Sequence, residues 1–483
     1  MERPGAKNSA AATPPPGRWR KLVGDMGVYA IGNLGAKVLT FLMVPLYTYY
    51  IPDTAAFGYF DICLTAAFLL SPLVTLDLRD GVFRFLLDAP DEASRRRVAT
   101  AAAHLLARSL AVALAVLLGV ACVVRVQHQW LALLLLLGVV ANDLYGQLLR
   151  GLGRNRLFVA MGLATAVLVV LLSVVLVGWM RMGIEGIFWA NAAARLLPMV
   201  AIEVWPRLAA RLFVRDLAWR SAARELLRYT VPLIPAMLIW WMLSFGDRWV
   251  VRWVAGPDAN GVYAVAARLT GVVYTFTVII QQAWQETAIL QYRSDDRDSF
   301  FSQIFAAFIY LECLVVMVYV VLLRLNYGWL IDSHYAASVA YLFPLAVGAA
   351  IYSTANFLEM GYQCACDTRR LLLASIATGV VYVALNVALA PLWGVWGVIA
   401  SSIGAFLFLA VWRLVDTRRY FTLRPGWRVA VPVAMMLVVG AAGYLSLPLW
   451  ADIVVSVAAV ALTLCSLPRS LYNKFKRIPL VSH

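Results

Sequence analysis

The sequence predicts an all-α polytopic membrane protein of about 14 transmembrane helices, two six-helix lobes followed by two further helices. Three observations predict it. First, 63% of the 483 residues are hydrophobic and only 14% are charged, where a soluble domain carries about a quarter charged residues. Second, apolar runs such as 98–120, 156–178, 301–323 and 448–467 are long enough to cross ~30 Å of hydrocarbon. The bilayer offers the backbone no water to bond, so such runs must be helices. Third, Lys and Arg fall almost entirely on one side of the resulting array.

Taken in order, the predicted spans are 25–47, 57–78, 98–120, 129–149, 156–178, 184–204, 229–250, 261–283, 301–323, 335–358, 371–391, 394–412, 429–446 and 449–467. Residues 1–24 form a basic, Pro/Ala-rich tail without the apolar core of a cleaved signal. Residues 25–204 make the first lobe and 229–413 the second; 414–467 hold the last two spans and 468–483 a basic tail. Of 41 Lys and Arg, 32 lie in the tails and in the loops after even-numbered spans, and four, Lys37, Arg108, Arg195 and Arg268, lie inside spans. The opposite loops hold five: Arg125, Arg181, Arg248, Arg252 and Arg324. This asymmetry predicts both termini in the cytoplasm. It assigns the net charge of +15 to contact with anionic membrane lipids rather than nucleic acid.

The longest connection, 205–228, places Arg207, Arg211 and Arg215, then Arg220, Arg224 and Arg228, at spacings of four beside Leu208, Leu212, Leu217 and Trp219. That pattern predicts an amphipathic helix on the membrane surface linking the lobes; a solvated basic linker is the alternative. Six cysteines and four scattered histidines give neither a disulfide set nor a metal site, and no cofactor is expected.

The halves echo each other. Pro52-Asp53-Thr54-Ala55-Ala56-Phe57-Gly58-Tyr59 after span 1 matches Pro257-Asp258-Ala259-Asn260-Gly261-Val262-Tyr263 after span 7. Gly183-Ile184-Glu185-Gly186-Ile187 matches Gly394-Val395-Trp396-Gly397-Val398, and Arg156-Leu157 matches Arg370-Leu371. A six-plus-six duplication has parallel copies about an axis normal to the membrane, with a substrate site between them.

At these residues the sequence resembles the bacterial polysaccharide and O-antigen flippases (Wzx-type) of the multidrug/oligosaccharidyl-lipid/polysaccharide exporter superfamily. The resemblance also rests on Gly35-Ala36-Lys37, Phe41-Leu42-Met43-Val44-Pro45-Leu46-Tyr47-Thr48, Leu76-Asp77-Leu78 and Phe83-Arg84-Phe85. In the second half it rests on Gly246-Asp247-Arg248-Trp249, Gly261 through Leu269, Gln281-Gln282-Ala283-Trp284 and Asn386 through Gly397. It covers nearly the whole chain after residue 24. One departure is Gln285-Glu286-Thr287, where the family often has a proline. The resemblance implies MATE-like lobes around a cationic cavity. It also implies movement of an undecaprenyl-pyrophosphate-linked oligosaccharide to the outer leaflet of the cytoplasmic (inner) membrane, for O-antigen, capsule or exopolysaccharide synthesis.

A charge at mid-bilayer is costly, so each asks for a cavity or a partner. Lys37, with Asn33 one turn away on the same face, reads as a cavity cation or half of a buried ion pair. Arg84 reads as a pyrophosphate receiver, since guanidinium binds two oxygens at once, or as an ordinary positive-inside anchor. Arg268 reads as a cavity cation, a partner of an acid, or a snorkelling side chain. Arg108, four residues after His104, reads as a cavity residue or as a gate with Glu312. Arg195 with Asn191 reads as packing. Asp247-Arg248 reads as a structural or gating pair, Glu286 and Glu359 as candidate proton carriers or surface carboxylates, and Asp61 as a solvated acid. Pro45, Pro232 and Pro235 permit bending.

Coupling to protons or sodium and contact with a polysaccharide polymerase are open partners. Two other functions compete. A multidrug or small-cation exporter prefers an acidic cavity, against four basic in-span residues and one clear acid here. A membrane polymerase enzyme needs a large outer loop, against about ten residues at 251–260 or 324–334 and no phosphate loop or triad.

Overall fold

A computed structural model describes residues 43–89, 91–123, 128–204, 219–231, 234–365, 367–444 and 449–468. Tail 1–24, most of span 1 with Asn33, Gly35 and Lys37, linker residues 205–218, Pro232 and residues 469–483 lie outside the described residues. Every regular element among the described residues is helical. Span 1 contributes α1 over residues 43–50. There follow α2 (Thr54–Val74), α3 (Leu78–Asp88), α4 (Glu92–Val123), α5 (Gln129–Gly151), α6 (Asn155–Ser173, continued by a π turn Val174–Trp179) and α7 (Gly183–Val204). After the linker come α8 (Trp219–Thr230), α9 (Ile234–Gln291), α10 (Arg297–Leu330), α11 (Val339–Ala365), α12 (Thr368–Trp393), α13 (Val395–Asp416), α14 (Ala430–Ala442) and α15 (Leu449–Ser466).

Ten described helices are long and apolar enough to cross a membrane, and residues 427–442 and 450–466 form shorter apolar helices. Local signals set their ends. Asp53 caps α2 by accepting from the Ala55 and Ala56 amides at 3.0 and 3.1 Å. Asp367 caps α12 through the Arg370 amide at 3.2 Å. Gly394, with φ 56°, lets α12 turn directly into α13.

The structure corrects several boundaries. Span 2 does not run to residue 78. Pro72 weakens its last turns, Leu76 and Asp77 take left-handed φ of 52° and 50°, and α3 sets off in a new direction. The ten-residue loops predicted at 251–260 and 324–334 are mostly helix. Span 7 continues as helix to Ala255 and span 8 begins at Pro257, so that α9 is two helices that turn back on each other at Gly256, with φ 90°, and α10 continues to Leu330. Hydropathy marks where hydrocarbon ends, whereas a helix continues until its backbone bonds are diverted. Arg413, placed in a loop by hydropathy, is buried within α13, and Arg324 lies within α10.

Helices α2 to α7 pack on one another, as do α9 to α13; α14 and α15 pair together and lie against α10. The linker helix α8 packs across α3 and α4, burying Ala223 and Leu226 while Arg220 and Arg224 stay exposed. Helix α2 against α9 is the principal contact between the two groups. One end of the bundle carries the Asp53 and Gly256 turns and few basic residues. The other carries the arginine clusters at 95–97, 150–156, 369–370 and 413–428. Lipid-facing stripes are visible, such as Val159, Leu163, Val167 and Leu171 on α6, all exposed at four-residue spacing.

Candidate functional site: a charged seam between two helix groups

The seam begins at the arginine-poor end, where the two echoing segments meet. Thr54 Oγ1 donates to Asp258 Oδ1 at 2.6 Å, and Asn260 Nδ2 donates to the Gly58 carbonyl at 2.9 Å. Backbone approaches backbone here. A Cβ on Gly58 would stand 2.7 Å from the Gly261 nitrogen, and one on Gly261 would overlap the Thr54 carbonyl. Glycine at both positions is what the crossing requires. Tyr335 Oη adds a bond to the Ile51 carbonyl at 2.7 Å, and Tyr49 Oη one to the Trp329 carbonyl at 2.9 Å.

About two turns deeper lies a buried charge cluster. Asp61 of α2 is 2% exposed and is held by two arginines of α9. Arg248 Nε reaches Asp61 Oδ2 at 2.7 Å, and Arg268 reaches Oδ1 through Nη2 at 2.8 Å and Nε at 3.1 Å. The Arg268 guanidinium also lies over the Phe57 and Phe60 rings at 4.8 and 5.4 Å. Solvation therefore does not account for Asp61, the inter-group carboxylate that sequence reading passed over. Asp61, Arg248 and Arg268 all lie two to three turns inside the same end of antiparallel helices. That common depth is the signal that could have joined them.

Deeper still, Trp241 Nε1 donates to the Thr65 carbonyl at 3.0 Å and Phe68 stacks on Phe245 at 6.1 Å. Arg195 of α7 is an electrostatic neighbour of Arg268. It bonds to the Asn191 carbonyl at 2.7 Å and the Asn191 amide oxygen at 3.1 Å, the packing arrangement expected for this pair, with Asp143 of α5 beside it.

The other expected site residues are dispersed. Asp247 does not bond to Arg248; it accepts from Tyr382, Ser402 and Tyr263 at 2.5, 2.7 and 2.8 Å, tying α12 and α13 to α9. Arg108 is exposed and lies over Trp219 of α8 at 5.2 Å. Glu312 is buried in the second group beside Thr277, so the structure does not bring Arg108 and Glu312 together. Arg84 is exposed at the arginine-rich end, over Tyr229 at 5.0 Å. Glu286 lies late in α9, and its side chain is outside the described residues. Glu359 is no free surface carboxylate: it pairs with buried Arg413 at 2.9 Å.

Residues 22–285 match the family profile described as polysaccharide biosynthesis protein. The chain belongs to that family. Two solved structures share the fold of this chain over most of both chains. One is the lipid II flippase MurJ in an inward closed conformation, with TM-score 0.68, 11% identity, and coverage of 92% of this chain and 99% of the other. The other is an inward-facing multidrug resistance MATE family transporter, with TM-score 0.64, 15% identity, and coverage of 86% and 99%. A superfamily transporter from Pyrococcus furiosus, whose binding pocket is described as of reverse polarity, aligns with TM-score 0.52 and 15% identity over 85% and 99%. No curated protein matches the sequence. The resemblance read from the residues is thus upheld: this family member has the fold of the multidrug and lipid-flippase transporters.

Proposed function

We propose that this protein is a flippase. It carries an undecaprenyl-pyrophosphate-linked oligosaccharide repeat unit across the bacterial cytoplasmic membrane by alternating access, for O-antigen, capsule or exopolysaccharide synthesis. The observation that carries this reading is the polysaccharide-biosynthesis match on a chain with a transporter fold. In this reading residues 25–204 and 229–413 are two lobes, 205–228 links them, and 414–467 is an appended pair. The arginine-rich end and both termini face the cytoplasm, as the positive-inside rule requires.

The seam supplies the gate. Contacts from Thr54–Asp258 down to Phe68–Phe245 close the outer end. Arg79, Arg195, Arg248 and Arg268 against Asp61, Asp143 and Asp247 leave one positive charge in excess, which suits an anionic pyrophosphate and disfavours a cationic drug. When the lobes part at the outer end, Asp61 moves with the first and the two α9 arginines with the second. Arg248 and Arg268 then lose their carboxylate and become available to the headgroup, with Lys37 and Asn33 as further lining and Arg84 as the cytoplasmic receiver.

The test is depletion of the protein followed by mass spectrometry of the lipid fraction. A complete lipid-linked repeat unit accumulating on the cytoplasmic leaflet is the expected result, and its mass names the sugar. Unchanged lipid-linked intermediates together with raised sensitivity to cationic dyes would replace this reading with an exporter.

A further inference from the structure

Away from the seam, the second helix group contains a buried carboxylate that its neighbours leave incompletely bonded. Glu312, in the middle of α10, is 2% exposed. Its Oε1 accepts only a long bond from Thr277 Oγ1 of α9, at 3.4 Å, and its Oε2 accepts none. The Ser353 hydroxyl of α11, 1% exposed, lies against the same carboxyl and makes no hydrogen bond of ordinary geometry either. Two orphaned polar atoms thus face each other in a buried interior. Groups there are normally satisfied, and an exception calls for an explanation. Among the described residues, the groups bearing on Glu312 are Thr277 from α9, Ser353 from α11 and, on α10 itself, Cys313. None is a cation.

A polar file lies within a turn of Thr277 and Ser353 and runs along α11 toward the arginine-rich end. Tyr274 of α9 and Tyr352 of α11 stack at 6.0 Å, one turn from Thr277 and next to Ser353 respectively. The Tyr352 hydroxyl lies against Tyr274 and Asn356. Asn356 Oδ1 accepts from Arg413 Nη1 at 3.2 Å, and Arg413 Nη2 pairs with Glu359 at 2.9 Å. Glu359 in turn accepts from Gln363, which bonds to Gln285 at an exposed edge. Ser353 and Glu359 are six residues apart on one helix, about 9 Å of rise.

We propose that Glu312 is a proton-binding site within the second helix group, reached along the Tyr274–Tyr352–Asn356–Glu359 file from the arginine-rich end. The incoming proton bonds to a Glu312 oxygen, and the neutral carboxyl then donates to the Ser353 hydroxyl. This satisfies both orphaned atoms and removes the net charge from the interior. Leaving, the proton returns to water along the same file, and no other bond changes. The second half of α9, after Gly256, meets α10 and α11 at Glu312 through Thr277, and the same half carries Arg268. Protonation therefore alters the packing of the helix that forms one side of the gate. As a drive for export, the site rests on the flippase reading; as a proton site it does not.

The test needs no substrate. Full-length protein in lipid is titrated with pH while the protonated-carboxyl carbonyl stretch is followed by infrared difference spectroscopy. Among the carbonyl bands of the 26 acidic side chains, one component is expected to be lost in Glu312→Gln, shifted in frequency in Ser353→Ala, and insensitive to exchanging sodium for choline. In Tyr352→Phe the band is expected to persist with slower equilibration. If Glu312→Gln does not fold, the frequency shift in Ser353→Ala decides. An identical band in wild type, Glu312→Gln and Ser353→Ala would overturn the proposal. So would a band abolished by sodium at fixed pH, which would assign the site to a metal cation. Loss of the band in Glu312→Gln with unchanged glycan export would leave the proton site standing and detach it from the flippase cycle.

Discussion

Replacing Asp61 by Asn tests the gate most directly. Asn keeps the shape and can still accept one hydrogen bond, but it removes the charge that holds Arg248 at 2.7 Å and Arg268 at 2.8 Å. Both guanidinium groups then remain largely buried without a counter-ion. Breaking a buried ion pair by removing one partner costs about 3–5 kcal/mol. Parting the lobes lets both cations reach water, so the cost falls on the closed seam. At 1.4 kcal/mol per tenfold, the closed-to-open ratio is expected to fall roughly a hundred- to a few-thousand-fold. Spin labels at Pro52→Cys and Trp253→Cys, both exposed at the arginine-poor end, in a cysteine-depleted full-length background, read this as a longer inter-label distance in proteoliposomes. Removing one orphaned cation as well, in Asp61→Asn with Arg268→Gln, is expected to recover part of the short-distance population. A distance distribution and melting temperature in Asp61→Asn equal to wild type would refute the reasoning, because the cluster would then carry no net energy.

Three further outcomes follow from the packing. Gly261→Ala places a methyl group on the Thr54 carbonyl; overpacking costs about 1–3 kcal/mol, and the same labels are expected to report a seam held apart. Trp284, 1% exposed and stacked on Phe357 at 4.6 Å within the Phe301 and Phe421 cluster, is expected to lose about 3–5 kcal/mol as Trp284→Ala, read as a lowered melting temperature in detergent. At the arginine-rich end, hydrogen bonds from the Tyr420 hydroxyl and the Arg370 amide hold the Asp367 carboxyl below its usual range. A depressed carboxylate stabilises above its unfolded value of about 3.9 and loses that contribution as pH falls through the lower folded value. Amide protection at the start of α12, relative to the intrinsic exchange rate, is therefore expected to fall below about pH 4, and Asp367→Asn to abolish that pH dependence.

Legibility differed sharply between spans and sites. Helices α5, α7 and α12 were readable almost to their ends, since Gln129–Gly151, Gly183–Val204 and Thr368–Trp393 depart from hydropathy by only a few residues. The Gly58 and Gly261 echo was visible as a repeat, but not that the two glycines touch. Arg268 was flagged as a buried cation needing an explanation, and pairing with an acid was among the explanations. The acid was passed over, because eight residues into its helix Asp61 looks wettable and nothing local shows that α9 covers it. Arg413 was misplaced for the converse reason: it lies at a hydropathic edge, yet Asn356 and Glu359 of another helix bury it.

Class, helical spans, charge asymmetry and family were all legible before any contact was known. Each of these is a local requirement: a segment in hydrocarbon must bond its own backbone and match the membrane's thickness whatever its neighbours do. Tertiary structure alone decided which charges meet. Asp61 and Arg268 are separated by about 200 residues, and their pairing depends on how two helix groups dock. It depends on the crossing that Gly58 and Gly261 permit and on the shared depth of three side chains. The isolation of Glu312 is of the same kind, because an unsatisfied oxygen is defined by what every surrounding helix fails to supply.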